Sequence, residues 1–263
     1  MKILTDSEIW SFEAQSIHTE EYERVYLDAL RLVLQHREAR ILDVGAGIGF
    51  PTANLFRDGY HNITALDGDV DSTKYSEKLF TDKGMKISVK HGKWQNLSDT
   101  IKDTYDVLLL ADNALVYLDG WSGGPVVSGE EEVFERFRIV FREFLKVLEP
   151  NGMAVIGLGK HYEQTHQGVP EGGGDKDNKI APFDLVRDGN PAKMTWYISR
   201  DWQKRHQECR AVVEAKDFNG EILRIAYLVT KDELVKIMKE VGFSQVHILV
   251  PDNTRDNLII GIK

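Results

Sequence analysis

Three glycines alternate behind an acidic residue in Asp43-Val44-Gly45-Ala46-Gly47-Ile48-Gly49, and the apolar pair Ile41-Leu42 leads into them. A short apolar run that ends in a carboxylate and then sheds its side chains reads as a buried strand turning sharply into a helix. Without Cβ atoms the backbone can approach a nucleotide-like ligand closely. A second run, Ile63-Thr64-Ala65-Leu66-Asp67, ends in another carboxylate. In a nucleotide-binding βαβ unit an acid at that place accepts hydrogen bonds from both ribose hydroxyls. Together these residues suit the holding of a nucleoside. A dinucleotide fingerprint would put its third small residue at Phe50. Here the third glycine comes one residue early, at Gly49.

The elements that must position these residues alternate between two periods. Strands are expected at Arg40 to Val44, Asn62 to Asp67, Lys86 to His91, Tyr105 to Leu110 and Met153 to Leu158. Helices are expected at Pro51 to Asp58, Asp71 to Lys83 and Glu130 to Leu148. The last carries Val133, Phe134, Phe137, Val140, Phe141, Phe144 and Leu145 on one stripe. Glu149-Pro150-Asn151-Gly152 is expected to close that helix in a turn. His161 to Lys179 reads as a long loop. Lys193 to Ser199, Glu208 to Phe218 and Glu221 to Val229 then read as strands, with Asn219-Gly220 as a hairpin turn. Helix Lys231 to Val241 and strands Ser244 to Val250 and Asn257 to Ile262 finish the chain. The pattern predicts an α/β fold: a Rossmann-like, doubly wound, mostly parallel seven-stranded sheet with an antiparallel cap inserted after the fifth strand. The expected division is a ligand-binding core with its N-terminal region over 1–159, loop and cap over 160–229, and the completion of the core over 230–263.

Composition bounds the partners. The chain has 263 residues, 42% of them hydrophobic, enough for one large α/β domain. A net charge of −9 disfavours nucleic acid and anionic membranes as partners. No apolar run reaches the length of a membrane span and no signal peptide is evident, so a cytoplasmic protein is expected, with a homo-oligomer as an option. The single cysteine, Cys209, excludes an intrachain disulfide and reads as a structural thiol. His161, Glu163 and His166 offer metal-ligating side chains, but their spacing favours a solvated loop and no metal is expected. Arg200, Arg205 and Arg210 suit an anion site, against which ordinary surface charge is the commoner reading. The glycine-rich stretch Glu171 to Gly174 and the insert Gly120 to Gly129 read as mobile lids.

The acidic-x-Gly-x-Gly-x-Gly spacing resembles the first motif of class I S-adenosylmethionine-dependent methyltransferases. Asp112-Asn113-Ala114-Leu115 lacks the prolines of enzymes that methylate amino groups of DNA bases. Gly92-Lys93-Trp94-Gln95-Asn96-Leu97, Tyr105-Asp106-Val107, Asp112-Asn113 through Leu118 and His18-Thr19-Glu20-Glu21-Tyr22 look like the glycine N-methyltransferase and glycine/sarcosine N-methyltransferase families. The similarity extends loosely over most of the chain. It implies S-adenosylmethionine as cofactor, S-adenosylhomocysteine as product and a small-molecule amine as acceptor. It places Asp43, Gly45, Ala46, Gly47 and Ala111 around the methionine part of the cofactor, Asp67 and Gly68 at the ribose, and Lys93 and Trp94 at the adenine. By spacing alone, Trp94 reads equally well as packing at a strand end. His18 stands where the family has an arginine for the cofactor carboxylate, and Tyr117 where it has a histidine. Asn113, Tyr117 and Tyr22 fall at the reacting centre, with Tyr26, Asp112 and Lys160 at the substrate. Lys160 replaces a substrate-carboxylate arginine as a point charge, so the expected amine is not plain glycine. Asp112 would favour a cationic acceptor, unless it only caps the next helix. Two alternatives stay open at this level: an oxygen acceptor, and a cofactor-binding subunit without turnover.

Overall fold

The computed structural model describes residues 2–263 apart from 6–7, 10, 13–17, 120–125, 161–177, 180–181, 188, 217 and 253. In chain order the elements are β1 (Lys2–Ile3), α1 (Glu20–Val33), β2 (Ile41–Asp43), α2 (Thr52–Arg57), β3 (Ile63–Asp67), α3 (Val70–Asp82), β4 (Ser88–His91), α4 (Leu97–Thr100), β5 (Tyr105–Leu110), α5 (Glu130–Val147), β6 (Leu148–Gly159), β7 (Asn178–Lys179), β8 (Phe183–Arg187), β9 (Asn190–Asp201), β10 (His206–Ala215), β11 (Phe218–Tyr227), α6 (Lys231–Val241), β12 (Gln245–Leu249) and β13 (Asp256–Ile262). Short 3₁₀ turns, Trp94–Asn96 and Ala114–Tyr117, follow β4 and β5.

Seven strands form one sheet in the order β12-β13-β6-β5-β2-β3-β4. β6, β5, β2, β3 and β4 pair in parallel; β13 and β12 run antiparallel at one edge. The central strands β2 and β5 are covered on both faces and so read as unbroken apolar runs. α5 buries Val133, Phe134, Phe137, Val140, Phe141 and Phe144 against the sheet, while Leu145, expected on the same stripe, is only partly covered. Sequence-local caps fix the helix starts. Thr19 accepts from the amide of Tyr22 at 3.2 Å and Asp69 from that of Ser72 at 2.7 Å. Thr230 and Glu233 form a reciprocal capping box on α6.

The second sheet holds β1, β11, β10, β9, β7 and β8. It departs from the sequence reading in three places. β1 pairs in parallel with β11, so the N-terminal residues join this sheet rather than the core. β7, at the end of the expected long loop, and β8 both lie where no strand is expected; residues 161–177 of that loop lie outside the described residues. Asn219-Gly220 is not the hairpin turn: Ala215 pairs with Phe218 and Val213 with Gly220, which puts both residues inside β11. The glycine serves close approach instead. A Cβ at Gly220 would meet Leu4 at 2.7 Å, in a cluster that packs Leu4, Ile9 and Phe12 on Met194, Ala211 and Val213.

The expected turn at Glu149 to Gly152 is also absorbed into a strand, because β6 starts at Leu148 and bulges where its register with β5 shifts between Tyr105 and Val107. A Cβ at Gly152 would lie 2.9 Å from the Glu149 carbonyl oxygen and 3.1 Å from those of Asp106 and Tyr105. Backbone oxygens cannot turn aside as side chains do. Gly152→Ala should therefore destabilise the fold by about 1–3 kcal/mol. Thermal denaturation reads this as a Tm several degrees below the parent, and an unchanged Tm would contradict the bulge geometry.

Candidate active site

The carboxyl ends of β2, β3 and β5 open onto one cavity of about 860 Å³ including its mouth. Open α/β sheets bind ligands at this crevice. The glycine loop forms one wall. Gly47 and Gly49 hold φ of 49° and 108°, which a side chain resists, and the only atom within 4 Å of a Cβ at Gly47 would be the Gly45 carbonyl oxygen. Gly45, Ala46, Gly47, Asp67 and Gly68 line the cavity, and so do Lys93, Trp94, Ala111, Asp112 and His18. The sequence reading missed Ile48, Phe50, Gly92, Gln95, Ala114 and Leu118, which complete the wall. Most of these adjoin residues that the motifs did single out.

Asp67 accepts from the backbone amides of Gly47 and Asp69, each at 2.8 Å, and thereby ties the glycine loop to the end of β3. Burial raises its carboxyl above the ordinary range against the pull of those amides. The Trp94 ring borders the cavity and is partly buried against the core, and its indole N–H donates to the Val44 carbonyl at the end of β2.

The other polar end of the cavity is built on strained backbone. Asp112 and Asn113 follow β5 with φ of 52° and 59°, a left-handed pair without glycine, of the kind that gathers at functional sites. Asn113, not Asp112, stands at the N-cap of the 3₁₀ turn that follows, so Asp112 is no helix cap. Its Oδ2 lies 2.9 Å from His18 Nε2, its Oδ1 accepts from Tyr22 Oη at 2.7 Å, and its backbone N–H donates to Tyr26 Oη at 3.0 Å. Burial pushes the Asp112 carboxyl up. The hydrogen bond and charge of His18, the charge of Arg255 and the Tyr22 hydroxyl outweigh burial and hold it below the usual carboxylate range. Burial raises the hydroxyls of Tyr22 and Tyr26 well above their ordinary range.

Six expected site residues lie outside the cavity lining, Tyr22 among them, behind Asp112 to which it donates. Asp43 is fully buried and accepts from Thr52 Oγ1 at 2.6 Å, bracing α2 behind the glycine loop. Asn113 Oδ1 accepts from the Gly159 amide at 3.0 Å and pins β6 to the end of β5. Tyr117 Oη contacts Cys209 Sγ of the second sheet at 3.9 Å, beside a buried thiol that also takes Gln207 Nε2 at 3.2 Å. Tyr26 is 1% exposed and acts on Asp112 from behind. Lys160 Nζ donates to the Pro251 carbonyl at 2.6 Å, so its charge is spent outside the cavity. Of the weighed arginines, Arg205 pairs with Glu130 and Glu233, Arg210 with Glu221, and Arg200 bonds Gln207. His161, Glu163, His166, Glu171 to Gly174 and 120–125 lie outside the described residues. Among the described residues no group of three His, Cys, Asp or Glu could hold a metal, and no helix is long and apolar enough to cross a membrane.

Residues 42–156 match a family model described as a methyltransferase domain. A search of curated proteins finds no match. The fold resembles a Clostridium acetobutylicum S-adenosylmethionine-dependent methyltransferase, with TM-score 0.66 and 14% identity over 91% of each chain. The sugar N-methyltransferase KedS8 from Streptoalloteichus gives 0.68 and 14%, over 92% of this chain and 87% of that one. The S-adenosylmethionine-bound amino pentose methyltransferase CalS10 from Micromonospora echinaspora gives 0.62 and 16%, over 92% and 90%. Residues 42–156 thus carry a methyltransferase domain, and the whole chain has the fold of S-adenosylmethionine-dependent methyltransferases.

S-adenosylmethionine suits the cavity on local grounds. A Cβ at Gly45 would meet Leu110 at 2.8 Å and Trp94 at 3.3 Å, so the backbone there stays bare beside the cavity. A carboxylate at Asp67 and the apolar surfaces of Ile48, Ala114 and Leu118 answer a ribose and a flat base.

One buried acid behind the site has a carboxylate without a hydrogen bond among the described residues. Both oxygens of Asp256, at the start of β13, are buried without a partner. Burial and the nearby Asp112 charge raise its carboxyl to about 7, against Arg255, Lys160 and His18. A pKa raised on folding gives stability that is complete below about pH 4 and lost as pH climbs through 7. Asp256→Asn removes that loss. Its stability relative to the parent should grow from pH 4 to pH 8 and reach an advantage on the order of 1–3 kcal/mol. Urea denaturation of both proteins across this range checks it; a difference that does not change with pH would refute the assignment.

Proposed function

We propose that this methyltransferase acts on the amine nitrogen of a small molecule larger than glycine, of the amino-sugar kind. The observation that carries the reading is a single cavity with a nucleoside-holding end, at the glycine loop and Asp67, and a polar end, at Asp112 and His18. The likeness of the fold to a sugar N-methyltransferase and an amino pentose methyltransferase supports nitrogen, whereas no comparison supports the narrower resemblance to glycine and sarcosine N-methyltransferases. Plain glycine fits less well, because Lys160, the stand-in for a substrate-carboxylate arginine, is engaged by Pro251.

When bound, the cofactor supplies an electrophilic methyl group on a sulfonium that is already an activated leaving group. The protein's share is then alignment and exclusion of water. Gly45, Ala46, Gly47 and Ala111 border the methionine part, Asp67 and Gly68 the ribose, and Lys93 and Trp94 the base. Asp112, ionised at neutral pH, gives the acceptor end a negative field that attracts an amine.

Asp67→Ala removes the ribose acceptor and frees the Gly47 amide. It should weaken S-adenosylmethionine binding about 10- to 1,000-fold, corresponding to about 1.4–4 kcal/mol. Isothermal titration calorimetry measures this, and parental affinity in the variant would remove Asp67 from the ribose. Mass spectrometry of products from a panel of amino sugars, amino acids and phenols decides the acceptor. Methylation confined to oxygen would overturn the amine reading.

A further inference from the structure

His18 lies just before the cap of α1 and lines the cavity with a side chain 13% exposed. The family resemblance would turn it toward the cofactor carboxylate. The geometry gives one ring nitrogen a different partner, since Nε2 is 2.9 Å from Asp112 Oδ2. An ionised carboxylate only accepts, so Nε2 carries a hydrogen, and in the neutral form of the ring, the form that can receive an amine N–H, Nδ1 keeps a lone pair. No described residue hydrogen-bonds Nδ1. The ring is also held in place. Phe50 packs on it with centroids 4.5 Å apart, and Tyr22 at 5.6 Å. Asp112 in turn is clamped by Tyr22 Oη and Tyr26 Oη. Gly157 makes room for that clamp, because a Cβ there would lie 2.7 Å from Tyr26 Oη and 3.1 Å from the Asp112 nitrogen.

We propose that His18 Nδ1 accepts a hydrogen bond from the N–H of the reacting amine, with Asp112 and Tyr22 as positioning residues that fix the ring. The inference rests on the amine reading above. A nitrogen must point its lone pair along the line of attack, and an acceptor fixed in the wall sets that rotation by holding an N–H.

Two cofactor analogues test this without an identified acceptor. S-adenosylhomocysteine lacks the transferred methyl; sinefungin carries an amine in its place. By calorimetry the parent should bind sinefungin about 10-fold or more tighter, the size of one charge-assisted hydrogen bond. In His18→Ala and Asp112→Asn the preference should fall to within about 3-fold while S-adenosylhomocysteine affinity stays within about 3-fold of the parent. Tyr22→Phe should fall between. His18→Asn serves if His18→Ala unfolds, with circular dichroism checking each variant. A parent without preference overturns the proposal. So does an equal loss of both ligands in the His18 variants, which would make His18 a holder of the cofactor's tail. A product methylated on oxygen fails the underlying reading instead, and is seen separately by mass spectrometry.

Discussion

A carboxylate taken out of water must be compensated, and Asp112 is where that requirement shapes this protein. Its two oxygens and its backbone amide are met by His18, Tyr22 and Tyr26, and its charge by Arg255. These groups come from the segment before α1, from α1 itself, and from the residue before β13. Leaving any of them out would strand a buried charge, at a penalty far above that of an ordinary surface contact. The compensation therefore draws the N-terminal helix and the antiparallel edge of the sheet onto the end of β5. Tyr22, Tyr26, Phe50 and His18 form an aromatic wall around the acid, and Arg255 sits 5.7 Å from the Tyr22 ring centre.

The second sheet is joined to the core by the same economy of buried charge. Asp119, 3% exposed, accepts from Tyr227 Oη at 2.7 Å and from Gln95 Nε2 at 3.1 Å, and pairs with Arg136 at 3.3 Å. Gln95 also lines the cavity, so the wall of the site and the end of β11 share one acid. Arg205, buried beneath Phe134 and Trp202, links the turn after β9 to α5 and α6 through Glu130 and Glu233. Pairs of this kind fix orientation more than they add stability. That suits a sheet whose place relative to the core must be defined.

Much of the core was readable because its signals are local. Apolar runs that end in Asp43, Asp67 and Leu110 mark strands of a parallel sheet, and the stripe on α5 has one solution on a helix. The glycine loop declares itself because glycine takes φ of 49° and 108° without the strain a side chain would bring. Errors arose where one residue type answers two demands. Asn219-Gly220 carries the composition of a turn, but the glycine is required by the approach of Leu4, which is distant in sequence. Glu149 to Gly152 carries turn residues and is used for a bulge, because the adjacent β5 supplies the ladder.

For the site, the sequence by itself determined the glycine-loop end of the cavity. Asp67 and the glycine loop are brought together by one βαβ unit, in which spacing along the chain sets distance in space. The Asp112 end was decided by tertiary structure alone. Residues 18, 112 and 256 meet only because α1 packs behind β5 and because β13 runs antiparallel to β6, which brings its first residue to the carboxyl ends of the parallel strands. The same packing turned Asn113, Tyr117, Tyr26 and Lys160 to structural partners. Spacing can say which residues sit at a strand end. Which of them face the cavity depends on backbone dihedrals such as those of Asp112 and Asn113, and these are set by contacts from elsewhere in the chain.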